Sequence, residues 1–231
     1  INPMTALLMV LTFVFFVGLD YLISRRKGVA TAATPAPALA EPGLDPIPAL
    51  EPVWVAGYQM PEQLHYHRGH TWARVLSPDT VAIGVDDFAR RLVGRAKAVE
   101  VPEVGAWVRQ GGPGARLGVN GRRAGVVAPV EGEVVEVNQE LAENPGLATD
   151  DPYGRGWLYK VRTGNLPANL RNLLNGSLAH RWMEDAREQL EVRLMALSGS
   201  VLQDGGEIAS DFADHLEDKD WKVLAERFLL T

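Results

Sequence analysis

The stretch Leu117-Gly-Val-Asn-Gly-Arg-Arg-Ala-Gly-Val-Val-Ala-Pro-Val130 predicts two short strands joined by a tight turn. Asn120-Gly121 is a strong hairpin signal, because both residues tolerate the positive φ that a two-residue type I′ turn requires. Two arginines, Arg122 and Arg123, follow the turn directly. The sequence therefore predicts a β-hairpin whose tip is followed at once by positive charge.

Short strands with turn residues between them continue on both sides of this hairpin. The clearest predicted strands cover residues 72–76, 80–85, 98–101, 106–108, 132–137 and 156–161. Asp86 stands where it would cap a short helix, since an aspartate side chain accepts a hydrogen bond from the first turn. Many short strands with Gly-rich turns are typical of a β-sandwich or barrel. We therefore expect a mainly β domain over residues 53–163.

Residues 164–231 have the pattern of a helical C-terminal extension. Apolar residues recur at a helical period between Leu178 and Leu197, and again at Trp221, Leu224 and Phe228. These stripes either pack against the β domain, which we favour, or form a surface for a partner protein.

The N-terminal segment has the composition of a membrane anchor. Residues 4–23 contain a single charge, Asp20, and at 1.5 Å per residue an apolar helix of this length would cross a bilayer. A secretory signal peptide is the alternative, but such peptides carry positive charge before the apolar run. Here the charge, Arg25-Arg26-Lys27, comes after it. We expect residues 1–27 to form a single-pass anchor in the inner (cytoplasmic) membrane, with the bulk of the chain on the cytoplasmic side.

Two further features belong to this membrane interpretation. Residues 28–52 are rich in proline and alanine, which predicts a semi-extended linker. Within the span, Thr12 and Gly18 are small and Asp20 is ionisable, so these residues are candidate contacts with other membrane helices. The expected partners are therefore the lipid bilayer and other subunits of a membrane complex.

Composition excludes several classes of chemistry. The chain has no cysteine, which excludes disulfides, thiolate nucleophiles and cysteine-based metal sites. Its formal net charge of −6 argues against a nucleic-acid-binding protein. No catalytic residues are predicted, since no Ser/His/Asp arrangement or carboxylate pair stands out. His65, His67 and His70 are close enough in sequence to suggest a metal site, although ordinary strand or solvated histidines are the favoured interpretation.

A set of motifs in the predicted β domain and just beyond it resembles the H protein of the glycine cleavage system. The motifs keep the family's order over roughly residues 65–175, and they are His70-Thr-Trp-Ala-Arg-Val, Gly84-Val-Asp-Asp-Phe-Ala, Val101-Pro-Glu-Val-Gly, Ala128-Pro-Val-Glu-Gly-Glu-Val-Val-Glu-Val-Asn, Asn144-Pro-Gly-Leu and Asp150-Asp-Pro-Tyr-Gly-Arg-Gly-Trp-Leu-Tyr-Lys-Val. The resemblance implies a barrel-sandwich hybrid of the lipoyl-domain type with a helical C-terminus.

The resemblance also implies where a cofactor would be attached. That family carries lipoate on one lysine at a hairpin tip, after a Glu-Ser-Val. When the family pattern is aligned on Val101-Pro-Glu-Val-Gly and Ala128-Pro-Val, no gap is needed between these two motifs. The family's lysine position then falls on Gly121, and its Glu-Ser-Val positions fall on Gly118, Val119 and Asn120. Arginines are not substitutes, because their guanidinium groups stay protonated. We therefore expect a degenerate member of the family with no cofactor.

These features together predict a non-catalytic, membrane-anchored accessory or assembly subunit of a larger complex. A respiratory or photosynthetic electron-transfer complex is one such assembly, and no motif selects it. Arg122 and Arg123, beside the altered tip, are candidate contacts with a partner. Two alternatives stay open: a membrane-tethered lipoyl carrier, and an adaptor that recruits a soluble enzyme.

Overall fold

A computed structural model describes residues 50–198 and 212–230 of the chain. Every element described below belongs to one compact unit of the chain, residues 47–231. The predicted anchor over residues 1–27 and the predicted linker as far as residue 49 lie outside the described residues. Within the described ranges, no helix combines the length and the apolar character that a membrane span requires.

Eleven short strands form three sheets in the described part of the chain. The largest sheet has six strands in the order β3-β4-β5-β11-β10-β7, the second has the order β6-β8-β9, and the third pairs β1 with β2. In chain order the strands are β1 (Trp54–Val55), β2 (Tyr58–Gln59), β3 (His65–His67), β4 (Thr71–Val75), β5 (Thr80–Val85), β6 (Ala98–Glu100), β7 (Trp107–Val108), β8 (Pro113–Val119), β9 (Arg122–Val127), β10 (Gly132–Val137) and β11 (Tyr159–Arg162). All strand pairings among the described residues are antiparallel.

The pairing of β4 with β5 shows how the register fixes the core. Trp72 on β4 lies opposite Gly84 on β5, and a Cβ built on Gly84 would come within 2.3 Å of the Trp72 ring. The indole of Trp72 is fully buried, and its nitrogen donates a hydrogen bond to the Val85 carbonyl at 2.8 Å. Glycine at position 84 therefore provides the space in which the largest core side chain packs.

Helices connect and cover these strands. They are α1 (Asp87–Val93), α2 (Glu140–Glu143), α3 (Leu147–Asp150), α4 (Leu166–Leu170), α5 (Gly176–Ser198) and α6 (Asp218–Leu229), with one turn of 3₁₀ helix over Phe212–His215. Asp86 caps α1 by accepting a hydrogen bond from the Ala89 amide at 2.8 Å, which confirms the cap expected from the sequence. Asn165 caps α4 in the same way.

The C-terminal helices bury the apolar stripes that the sequence predicted. Trp221, Leu224 and Phe228 on α6 are all buried. On α5 the middle of the stripe is buried, whereas its two ends, Leu178 and Leu197, are exposed. Packing against the β domain is therefore confirmed for α6 and for the centre of α5. The predicted combination of a mainly β domain with helices in the C-terminal part is likewise confirmed.

Candidate functional site: the hairpin tip and the C-terminal segment

Strands β8 and β9 form the hairpin that the sequence predicted. Val119 pairs with Arg122 across the turn, which leaves Asn120 and Gly121 as a two-residue loop. Their φ angles are +49° and +83°, so both adopt the left-handed backbone that this loop length requires. Gly121 is exposed, and a Cβ built on it would meet no atom within 4 Å. The tip is therefore an open turn in which one of the two exposed residues has no side chain.

The strand leading into the turn is packed more closely. Gly118 pairs with Ala98 on β6, and a Cβ built on Gly118 would lie 3.2 Å from the Ala98 Cβ. The Gly118 carbonyl also accepts a hydrogen bond from the Lys97 amide at 2.8 Å. A larger side chain at position 118 would therefore press against β6.

Arg122, the first residue after the tip, is held by the C-terminal segment, defined here as residues 212–230. Its guanidinium donates hydrogen bonds to the carbonyl oxygens of Ala213 at 2.9 Å and Leu216 at 2.6 Å, and to the Asp218 carboxylate at 2.8 Å. It also lies 5.3 Å from the centre of the Trp221 ring, within range of a cation–π interaction. Only 17% of its side chain is exposed. The structure thus places Arg122 in an intramolecular contact, and Arg123 beside it is exposed.

Other contacts bind the same segment to the core. The Trp221 indole donates a hydrogen bond to the Leu92 carbonyl of α1 at 2.9 Å. At the other end of α6, a Cβ built on Gly69 would lie 2.9 Å from the Leu229 carbonyl oxygen and 2.6 Å from the Val127 side chain on β9. Helix α6 is therefore in close contact with both α1 and the face of the hairpin strand β9.

The arginines of α1 and of the following loop are engaged with carboxylates. Arg90 and Arg91 both bind the buried Asp87, and Arg95 binds Asp150 at 2.9 Å. Opposite charge at this distance reduces the field that an arginine cluster presents to a partner. Of the two arginines at the tip, Arg123 is the more accessible to another molecule.

The three histidines considered as metal ligands are in different environments. His65 and His67 lie on β3, and burial lowers the pKa of both side chains. His67 Nδ1 accepts a hydrogen bond from the Gly69 amide at 3.0 Å. His70 is buried, and its Nδ1 donates to Asp86 at 2.8 Å. No group of three or more potential metal ligands occurs among residues 50–198 and 212–230.

Sequence reasoning missed the contact between the hairpin and the C-terminal segment. Arg122 and its partners are separated by 91 to 96 residues, so no local pattern connects them. The apolar stripe on α6 indicated that the helix packs on the β domain, but not which strand it covers. The remaining predicted contact residues, Thr12, Gly18 and Asp20, lie outside the described residues.

Comparison with known proteins identifies the family. The family model described as glycine cleavage H-protein matches residues 64–186, which is more than half of the chain. The chain belongs to the glycine cleavage H-protein family.

Individual relatives show the same similarity. A probable glycine cleavage system H protein of Pyrococcus abyssi is 39% identical over 121 residues, which cover 52% of this chain and 90% of that protein. A probable glycine cleavage system H protein 2 of Saccharolobus solfataricus is 40% identical over 124 residues, covering 52% of this chain and 83% of that protein. A crystal structure of the H protein from Mycobacterium marinum has 28% identity and a TM-score of 0.48, and the alignment covers 55% of this chain and 99% of that one.

Proposed function

We propose that this protein is a non-catalytic accessory or assembly subunit of a larger membrane complex, and that its H-protein-like domain docks other subunits instead of carrying lipoate. The observation that carries the proposal is Gly121. It occupies the exposed tip of the β8–β9 hairpin, where the resemblance places the attachment lysine, and it has no side chain to acylate.

The contacts beside the tip support a static role for the hairpin. A lipoyl arm acts by swinging from a lysine side chain, and Gly121 offers no side chain at this position. Here the residue after Gly121 is tied to the C-terminal segment by three hydrogen bonds. The hairpin and α6 together form one continuous surface that another subunit could recognise as a unit.

The membrane location is part of the same proposal and rests on sequence alone. Residues 1–27 would anchor the chain in the inner membrane with the domain on the cytoplasmic side, because three basic residues follow the apolar run. The lipid bilayer and the helices of the partner subunits would contact Thr12, Gly18 and Asp20. The exposed Arg123 is the candidate contact on the domain itself.

Intact mass spectrometry of the purified protein tests the absence of lipoate. We expect the unmodified mass and no signal with an antibody against lipoate. The most informative lysine is Lys97, which is exposed and whose amide is hydrogen-bonded to Gly118 next to the tip. A lipoyl adduct on Lys97 or on any other lysine would overturn the proposal in favour of a membrane-tethered carrier.

Purification in mild detergent tests the subunit role. We expect membrane proteins to co-purify in stoichiometric amounts. Recovery of the protein with a soluble enzyme and no membrane partner would instead support an adaptor.

A further inference from the structure

A cleft separate from the hairpin tip lies where three elements meet. It has a volume of about 230 Å³ and lies between the β3–β4 turn, α5 and α6. Its lining consists of Arg68, His70, Trp182, Ala186, Gln189, Arg227 and Phe228. Two of these residues are arginines, and none is a carboxylate. The cleft lining therefore carries net positive charge.

The two arginines of the cleft make few hydrogen bonds and no ion pairs within the described ranges. Arg227 donates only to the Gln189 side-chain oxygen, at 3.2 Å. For Arg68, no hydrogen bond or ion pair is found within residues 50–198 and 212–230. Seven other arginines in the described residues pair with a carboxylate, among them Arg90, Arg91 and Arg95. Within the described residues these guanidinium groups of the cleft have no carboxylate partner, so they are available to bind an anion.

Part of the cleft lining is aromatic. The His70 ring stacks on Phe88 with centroids 3.9 Å apart and lies 4.6 Å from the Trp182 ring. Asp86 fixes the orientation of this imidazole by accepting a hydrogen bond from Nδ1 at 2.8 Å.

The backbone at this part of the lining is also unusual. His70 has a φ of +58°, a left-handed conformation that residues with a Cβ adopt at a cost. Strained backbone of this kind concentrates at functional sites. The strain places a buried imidazole at the edge of the cleft, between two aromatic rings.

We propose that this cleft binds a small aromatic anion, a carboxylate or phosphate attached to a flat ring. Arg68 and Arg227 bind the oxyanion, because guanidinium groups form short, charge-assisted hydrogen bonds with such groups. Trp182 and Phe228 contact the ring. At about 230 Å³ the cleft is smaller than the range of roughly 300–1,000 Å³ typical of drug-sized ligands, which favours a compact molecule. The proposal is independent of the subunit role.

Isothermal titration with three probes tests the ligand class. Phenyl phosphate and benzoate represent the two sources of the oxyanion, and inorganic phosphate lacks the ring. We expect at least one of the aromatic anions to bind about tenfold or more tightly than inorganic phosphate, because its ring removes apolar surface from water. Equal affinity for all three probes, or no binding of any, would overturn the proposal. The aromatic probe that binds more tightly shows whether the cleft prefers a phosphate or a carboxylate.

Matched variants test the location of the site. Arg68→Gln and Arg227→Gln should each weaken binding of the preferred probe by about tenfold, since each removes a hydrogen bond to a charged group. Arg193→Gln is the control: it removes the same charge from an exposed position on α5 that is not part of the cleft lining. A cleft variant that binds as tightly as the control would show that the anion binds elsewhere, and it would overturn the assignment.

Discussion

Gly121 adopts a φ of +83° although nothing crowds the position of its missing Cβ. The preference for glycine at this residue is therefore conformational and not steric. We predict that Gly121→Ala lowers the free energy of unfolding by about 1–2 kcal/mol, the cost of a left-handed backbone for a residue with a Cβ. Urea denaturation measures the change.

Gly164→Ala is the control for this prediction. Gly164 also has open space around its Cβ position but does not have a left-handed φ. Its replacement should leave the free energy of unfolding unchanged or raise it by up to about 1 kcal/mol, because alanine lowers the conformational entropy of the unfolded chain. If the two variants are equally stable, the turn does not depend on glycine.

His67 links the stability of the β3–β4 turn to pH. Burial lowers the pKa of this imidazole, and the nearby His70 and Arg68 lower it further. Its Nδ1 also accepts a hydrogen bond from the Gly69 amide, and a proton on Nδ1 would abolish that bond. Below the ordinary imidazole pKa of about 6.5, the unfolded chain therefore takes up a proton that the folded chain resists, and stability falls as the pH falls.

The variant His67→Asn tests this linkage, because its side-chain oxygen can still accept from Gly69 but does not titrate. We predict that the unfolding midpoint of the unaltered protein in urea drops more between about pH 7.5 and 5.5 than that of the variant. Parallel midpoints over this interval would show that His67 does not contribute to the pH dependence.

At the level of elements, the hydrogen bonds between the hairpin tip and the C-terminal segment come from the Arg122 side chain. Arg122 reaches two carbonyl groups and one carboxylate of the segment. We predict that Arg122→Gln lowers the free energy of unfolding by about 1–3 kcal/mol, because hydrogen bonds from a charged group are lost. Amide hydrogen exchange in residues 212–230 should accelerate at the same time.

Arg123→Gln provides the comparison for Arg122. Arg123 is the next residue on the same strand and is exposed, so its replacement should change stability by no more than about 0.5 kcal/mol. Faster exchange of the segment in this variant would show that general charge near the tip, and not the specific contact of Arg122, holds the segment.

Trp221 on helix α6 is buried, and its indole nitrogen donates a hydrogen bond to the Leu92 carbonyl. We predict that Trp221→Ala destabilises the protein by about 3–5 kcal/mol, the usual range for removing a buried tryptophan. Val223, on the same helix, is 60% exposed, and Val223→Ala should be nearly neutral. A small effect of Trp221→Ala would mean that α6 contributes little to the stability of the domain.

Elements with local signals could be predicted from the sequence, and contacts between distant elements could not. The turn at Asn120-Gly121 and the cap at Asp86 depend on residues within three positions of one another. The bonds of Arg122 to Ala213 and of Trp221 to Leu92 connect residues 91 and 129 positions apart. The cleft proposed to bind an anion escaped prediction for the same reason, since Arg68 and Arg227 both line it only after α6 has packed.

At the scale of the whole molecule, the proposed anchor should hold the protein in its complex. Gly18 would allow close approach of a neighbouring helix, because small residues permit tight packing within a membrane. We predict that Gly18→Leu releases the protein from its partners in detergent without reducing its insertion into the membrane. Val17→Leu, a change next to it that replaces an already bulky residue, should leave co-purification intact.

Full recovery of the Gly18→Leu protein with its partners would place the docking contacts elsewhere. The exposed tip with Arg123, or the surface formed by β9 and α6, would then be the part of the molecule to alter next.

The attachment of residues 212–230 to the hairpin also has a consequence for synthesis on the ribosome. Arg122 is translated 91 residues before Ala213, one of its partners. At about 5–20 residues per second, the hairpin waits on the order of 5–20 seconds for the segment that covers it. During this interval the surface that later receives Trp221 and Phe228 is open to water and to chaperones. A ribosome-bound chain stalled before residue 212 should therefore be bound by chaperones more strongly than the released protein.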